Sequence, residues 1–265
     1  MSRQKIDRAA RLLEKASGLI DGFKYNEALK VLSEAEKLAE ESGDPRTVYD
    51  VCYTKGSFTQ ALRLHAEAFK LYERASKVAD EMLAEEPGSL RAQTCVAAVN
   101  NNLGILHREQ NRPEKAGEHF EKALEATRNM LSQEPETPAY MAHFGMISNN
   151  LGNLCSNLGE YEKGEGHFKE ALETYGKLPG KEAQNSTYQS CLGTAYMNLG
   201  LLEGKAGKRK EAETHLEEAL RVRGKLLAGK PEHPEYRADY EMTLKKLGEL
   251  REKGTLEEEN CEKES

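Results

Sequence analysis

Residues 113–133, PEKAGEHFEKALEATRNMLSQ, carry small or apolar side chains at Ala116, Phe120, Ala123, Leu124, Thr127, Met130 and Leu131. Steps of three and four set these on one stripe of a helix, with charged residues on the opposite face. The preceding stretch places Val99, Leu103 and Leu106 at the same spacing. Between such stretches lie short turns containing glycine, LGEYEKG around Gly159 and AGKRKEA around Gly207. Thr137-Pro138 reads as an N-cap followed by proline at the first helical position, and His233-Pro234 places proline the same way. The unit of pattern is a pair of antiparallel helices.

The pair recurs. NNLGILHREQNRPEKAGEHFEKAL begins at Asn101 and NNLGNLCSNLGEYEKGEGHFKEAL at Asn149. Leu-Gly stands at Leu103-Gly104, Leu151-Gly152, Leu199-Gly200 and Leu247-Gly248, always 48 residues apart, and Gly56 sits one period earlier without the leucine. Twelve residues after four of these glycines comes a small residue, at Ala68, Ala116, Gly164 and Ala212. Four further on stands a bulky one, at Tyr72, Phe120, Phe168 and Leu216, and three more bring Ala75, Ala123, Ala171 and Ala219. Pro87, Pro135 and Pro231 keep step, with Ala183 the exception. A glycine inside a helix costs about 1 kcal/mol relative to alanine. Its recurrence at one register predicts a helix backbone packed too closely for a Cβ, with the small residues twelve positions on as the counterpart.

Leu-Gly followed by small, bulky and Ala at these offsets resembles the tetratricopeptide repeat (TPR). The usual repeat has about 34 residues; the period here is 48, so the helices must be longer. That form, with NNLG openings and PEHPEY-like linkers, is similar to the repeats of kinesin light chains. The resemblance implies an all-α, right-handed α-solenoid. The pattern gives about five helix pairs, over residues 4–43, 45–87, 88–135, 136–181 and 182–231. A lone helix at 234–253 would cap the last pair, as solenoids require for solubility. Residues 1–253 then form one solenoid. TLEEENCEKES closes the chain as an acidic disordered tail over 254–265. YGKLPGKEAQNST, where Pro179-Gly180 shorten a helix, is a candidate bend.

The net charge of −7 argues against nucleic acid as a partner. No apolar run is long enough to span a membrane, and MSRQKIDRAARLLEK has no signal-peptide core. Five scattered cysteines without a C-x-x-C pair fit reduced thiols and a cytoplasmic location. His119, His167 and His215 recur at the period, but equivalent residues of stacked units stand too far apart to share a metal. With no phosphate loop, nucleophile elbow or nucleophile–base pair in view, no enzyme, cofactor or metal site is expected.

What remains is the surface. The resemblance implies that residues flanking Leu-Gly line a concave groove: Asn101, Asn102, Ile105 and Arg108; Asn149, Asn150, Asn153 and Asn157; Met197, Asn198, Leu201 and Lys205. Asn102, Asn150 and Asn198 lie in strict register. An amide both donates and accepts, so a ladder of them can grip the backbone of an extended peptide; a local structural role for these amides stays open. The function expected is a non-catalytic scaffold or adaptor that binds an extended peptide or partner protein. The alternatives are a peptide- or partner-sensing regulator that changes superhelical pitch and, behind it, a self-assembling scaffold; self-association is open but nothing in the sequence indicates it.

Overall fold

The computed structural model of the protein describes the backbone of residues 2–264 and the side chains of residues 2–252. Among the described residues the elements are all helical: α1 (Ser2–Asp21), α2 (Tyr25–Ser42), α3 (Pro45–Ala61), α4 (His65–Glu85), α5 (Leu90–Glu109), α6 (Pro113–Gln133), α7 (Pro138–Leu158), α8 (Tyr161–Gly176), α9 (Ser186–Lys205), α10 (Arg209–Gly229) and α11 (Pro234–Glu264), with a 3-10 turn at Glu182–Gln184. The chain is all-α, with the helix pairing of an α-solenoid.

Two compact units comprise residues 1–130 and 131–265. In the first, α1 packs on α2, α2 on α3, α3 on α4 and α4 on α5, and α1 also reaches α3. In the second, α7 packs on α8, α8 on α9, α9 on α10 and α10 on α11, while α7 meets α9 and α9 meets α11. α1, α7 and α9 thus touch both their own partners and the next first helix, so these pairs bury their apolar stripes against a neighbour.

Short-range chemistry sets the ends. The Asp44 carboxylate accepts from Thr47 N at 2.8 Å and Pro45 follows at the first helical position of α3. Ser89 caps α5 and Asn185 caps α9 in the same way. Thr137 takes the N-cap position of α7 with Pro138 behind it, but its hydroxyl donates to Glu134 at 3.0 Å instead of accepting a helix N–H. The turns within pairs are left-handed at one recurring register: Arg63 (φ 59), Asn111 (φ 56), Gly159 (φ 77) and Gly207 (φ 78). Glycine adopts this conformation without steric cost and arginine does not.

The recurrent helical glycines are explained by close packing, but the contact differs from the backbone approach expected. A Cβ on Gly56 would meet the Tyr72 ring at 2.9 Å, one on Gly104 the Phe120 ring at 2.6 Å and one on Gly152 the Phe168 ring at 2.6 Å. The ring of the bulky residue sixteen positions on, not the small residue at twelve, fills the space beside the glycine. Only at Gly200, where Leu216 replaces the aromatic, does backbone come first: a Cβ would meet Ala212 O at 2.9 Å.

The elements differ from the expected boundaries at the last joints of the chain. The fifth pair opens at Ser186, because the residues from 182 form the 3-10 turn. Around the expected bend, Leu178 is buried against Met141, Ala171, Tyr175 and Ala195, so the segment is packed into the second unit. The last helix runs to Glu264, past the end expected near 253 and over the stretch expected to be a disordered tail.

Candidate functional site

Side chains of successive first helices meet at a constant offset of 49 residues. Asn102 Nδ2 donates to the Tyr53 hydroxyl at 3.3 Å, Asn198 Nδ2 to Asn149 Oδ1 at 3.2 Å, and Lys205 Nζ to Ser156 Oγ at 3.4 Å. The offset follows from the architecture. One period carries the chain to the equivalent site of the next first helix, and one further residue reaches across between them.

The nominated residues divide. Asn101 and Met197 are buried, which removes them from any exposed wall. Met197 packs with Leu216, Ala219 and Leu247, and its sulfur lies 3.1 Å from Arg223 Nη1. Ile105, Arg108, Asn149, Asn150, Asn153, Asn198 and Leu201 are partly exposed, and Asn157 and Lys205 are exposed. Asn102 is half-buried, and its amide also donates to the Tyr72 hydroxyl at 3.1 Å. Both of its N–H groups are thus committed to tyrosines of the preceding pair. Burial pushes the Tyr72 hydroxyl up to about 12, so it stays protonated at neutral pH. Arg108 has no ion-pair partner among the described residues, and partial burial lowers its pKa against the opposing pull of Glu109.

In the second unit a groove of about 270 Å³ brings Leu201 and Lys205 together with residues of α11 that the sequence did not nominate. Leu201, Leu216 and Leu250 give it an apolar floor, and Lys205, Lys246 and Glu249 a charged rim. Lys246 and Glu249 pair with one another at 2.8 Å, which leaves Lys205 as the freer cation. The signal for these partners was present in LKKLGEL, read only as a cap.

The recurrent histidines serve packing. His119 donates from Nδ1 to Asn100 Oδ1 at 2.8 Å, an orientation fixed because Asn100 Nδ2 donates to Val96 O at 2.9 Å. Its ring stacks on His107 at 5.2 Å. His215 Nδ1 lies 2.6 Å from the buried Glu203 carboxylate. Among the described residues no group of three or more His, Cys, Asp or Glu is placed to hold a metal, and no helix is long and apolar enough to cross a membrane.

Comparison with known proteins follows the repeat. Two tetratricopeptide-repeat family models match, over residues 143–225 and 96–138. No curated protein matches the chain. Among solved structures, BtubC (BKLC) from P. vanneervenii is 22% identical with a TM-score of 0.59, covering 88% of this chain and 94% of that one. A thermophilic TPR protein of Thermus thermophilus is 20% identical with a TM-score of 0.55, covering 89% and 98%. Nearly identical TPR-like repeats of a putative kinesin light chain from Podosopora anserina are 18% identical with a TM-score of 0.57, covering 83% and 97%. At these identities the likeness is one of fold. With the 48-residue register and the buried positions it marks, the conclusion is that the chain is a tetratricopeptide-repeat protein.

Proposed function

We propose that the protein is a non-catalytic adaptor that holds an extended peptide of a partner protein along its first helices. The observation that carries this reading is the α9–α11 groove, where an apolar floor meets the charged rim of Lys205, Lys246 and Glu249. The floor takes an apolar side chain of the peptide and Lys205 an acidic one. On α7, Asn153 offers an amide for backbone N–H and C=O groups. Asn102 has a structural part, because both of its donors are occupied.

Selection of a displayed library of unstructured peptides on the full chain tests this. Enriched peptides bind with Kd on the order of micromolar, and Asn153→Ala with Lys205→Glu weakens them about tenfold or more at an unchanged melting temperature. Failure to enrich any peptide, or binding indifferent to both substitutions, refutes the groove.

A further inference from the structure

α11 has the register of a first helix, and among the described residues no following helix packs on it. Its Leu247 and Gly248 stand in register with Leu199 and Gly200, and Leu247 is buried against Met197, Leu216 and Ala219 as the register demands. The other side of the helix departs from every earlier unit. A Cβ at Gly56, Gly104, Gly152 or Gly200 collides with the second helix, whereas at Gly248 it meets nothing within 4 Å. Four residues before the glycine, Cys52, Asn100 and Ser148 are buried and Tyr196 stacks on His215, but Leu244 is 51% exposed. Three residues after it, Thr59, His107, Cys155 and Glu203 are buried, whereas Arg251 is exposed. Seven before it, Tyr49, Ala97, Gly145 and Gly193 are buried, whereas Glu241 is exposed. Glu241, Leu244, Gly248 and Arg251 are therefore the vacant seat for a second helix.

We propose that this seat is filled by α11 of a second copy of the chain, running antiparallel, in a two-fold symmetric dimer. The filled units give the pairing rule. Gly200 meets Leu216 while Gly193, seven residues back, meets Arg223, seven residues forward; Gly152 with Phe168 and Gly145 with Tyr175 repeat it. Applied to two α11 helices, the rule that sets Leu244 of one copy over Gly248 of the other also sets Glu241 against Arg251, three residues back against three forward. The two-fold axis repeats both contacts. Large meets small and acid meets base on a single surface, as an isologous interface requires. Glu241 has no ion pair among the described residues. Arg251 uses Nε for Glu213 and Nη2 for Glu217, which leaves Nη1 to share with Glu241 of the second copy. The face lies on the opposite side of α11 from Lys246 and Leu250, so pairing leaves the α9–α11 groove open.

Sedimentation velocity on the full chain, diluted from high to low concentration, tests the proposal. Wild type passes from dimer to monomer. Gly248→Leu fills the seat from within and raises the dimer dissociation constant by about tenfold or more, without loss of the monomer's melting temperature in dilute solution, because a Cβ there meets nothing within 4 Å. Leu244→Asp does the same, and Glu241→Arg weakens the dimer most at low salt. A wild type that stays monomeric at the highest concentration overturns the proposal. So does a dimer that survives both Gly248→Leu and Leu244→Asp, since the contact then lies on another surface.

Discussion

At the residue scale, one amino acid in one register has two different environments, and the difference is measurable. Alanine at Gly104 drives a methyl group into the Phe120 ring, 2.6 Å away. Gly104→Ala should therefore cost about 1–3 kcal/mol, as overpacking does, despite alanine's better helix propensity. Gly248→Ala meets no atom and should gain about 0.5–1 kcal/mol from that propensity alone. Urea unfolding of the two variants in dilute solution separates the cases by sign. Arg63 supplies a third: it holds φ 59 at the register where Gly159 and Gly207 hold φ 77 and 78. Arg63→Gly should raise stability by up to about 1 kcal/mol, the relief of left-handed strain less the entropy that glycine adds to the unfolded chain, read from the same titration. The glycine register was legible in the sequence and the nature of its contact was not. A residue pattern reports that space is short without saying which neighbour takes it, and here the ring at sixteen takes it before the backbone at twelve.

At the element scale, helix pairs and their caps followed from periodicity, because each pair solves the same packing problem in the same order. What escaped notice is a second pairing, in which Gly145 receives Tyr175 and Gly193 receives Arg223. The same register reads Tyr49 with Ala79 and Ala97 with Thr127, all buried. The large member stands on the first helix in Tyr49–Ala79 and on the second in the Gly145 and Gly193 pairs, so no residue type recurs through all four units, and a search for recurring types passes over it. The pair α5 and α6 makes a further prediction through its histidines. Burial lowers the pKa of His107 and His119 below the ordinary 6.5. Lys115 and Arg112 add to this at His107, and His107, Lys122 and Lys115 at His119, with Glu73 and Glu118 opposing only in part. The unfolded chain then takes up protons at a pH where the fold refuses them, so stability is held above the ordinary value and falls as pH drops through it. Thermal melts followed by circular dichroism should decline from pH 7 to pH 5.5. His107→Phe keeps the stack on His119 and removes an imidazole whose Nδ1 is buried without a partner. It should flatten that decline and raise stability at pH 7 by about 1 kcal/mol. A melt series as steep as wild type would place the sensitivity elsewhere.

At the scale of the whole molecule, a repeat protein is stabilised by its nearest neighbours, so its ends decide how far order extends. The lone last helix was legible from Leu247-Gly248 and the absence of a following bulky residue. The charged residue that ties it down was not, because arginine in a helical stretch reads as solvated surface. Arg223 is instead 2% exposed, and burial lowers its pKa. Its guanidinium reaches Thr194 on α9 at 3.2 Å, and Asp239 O at 3.0 Å and the Thr243 hydroxyl on α11. Thr243→Val keeps the packing and removes one acceptor, which should cost about 1–3 kcal/mol, the penalty for a buried donor left unpaired. Deleting α11 after residue 233 removes both acceptors on that helix and uncovers Leu216 and Ala219. The guanidinium then either drags water into the α9–α10 interface or forces the two helices apart. Hydrogen exchange on the truncated chain should show protection lost most in α10, less in α9 and least in α7, a gradient that follows the neighbour contacts of the second unit. Equal loss across α7–α10 would mean that these helices unfold as one block and that Arg223 is not where their order begins to fail.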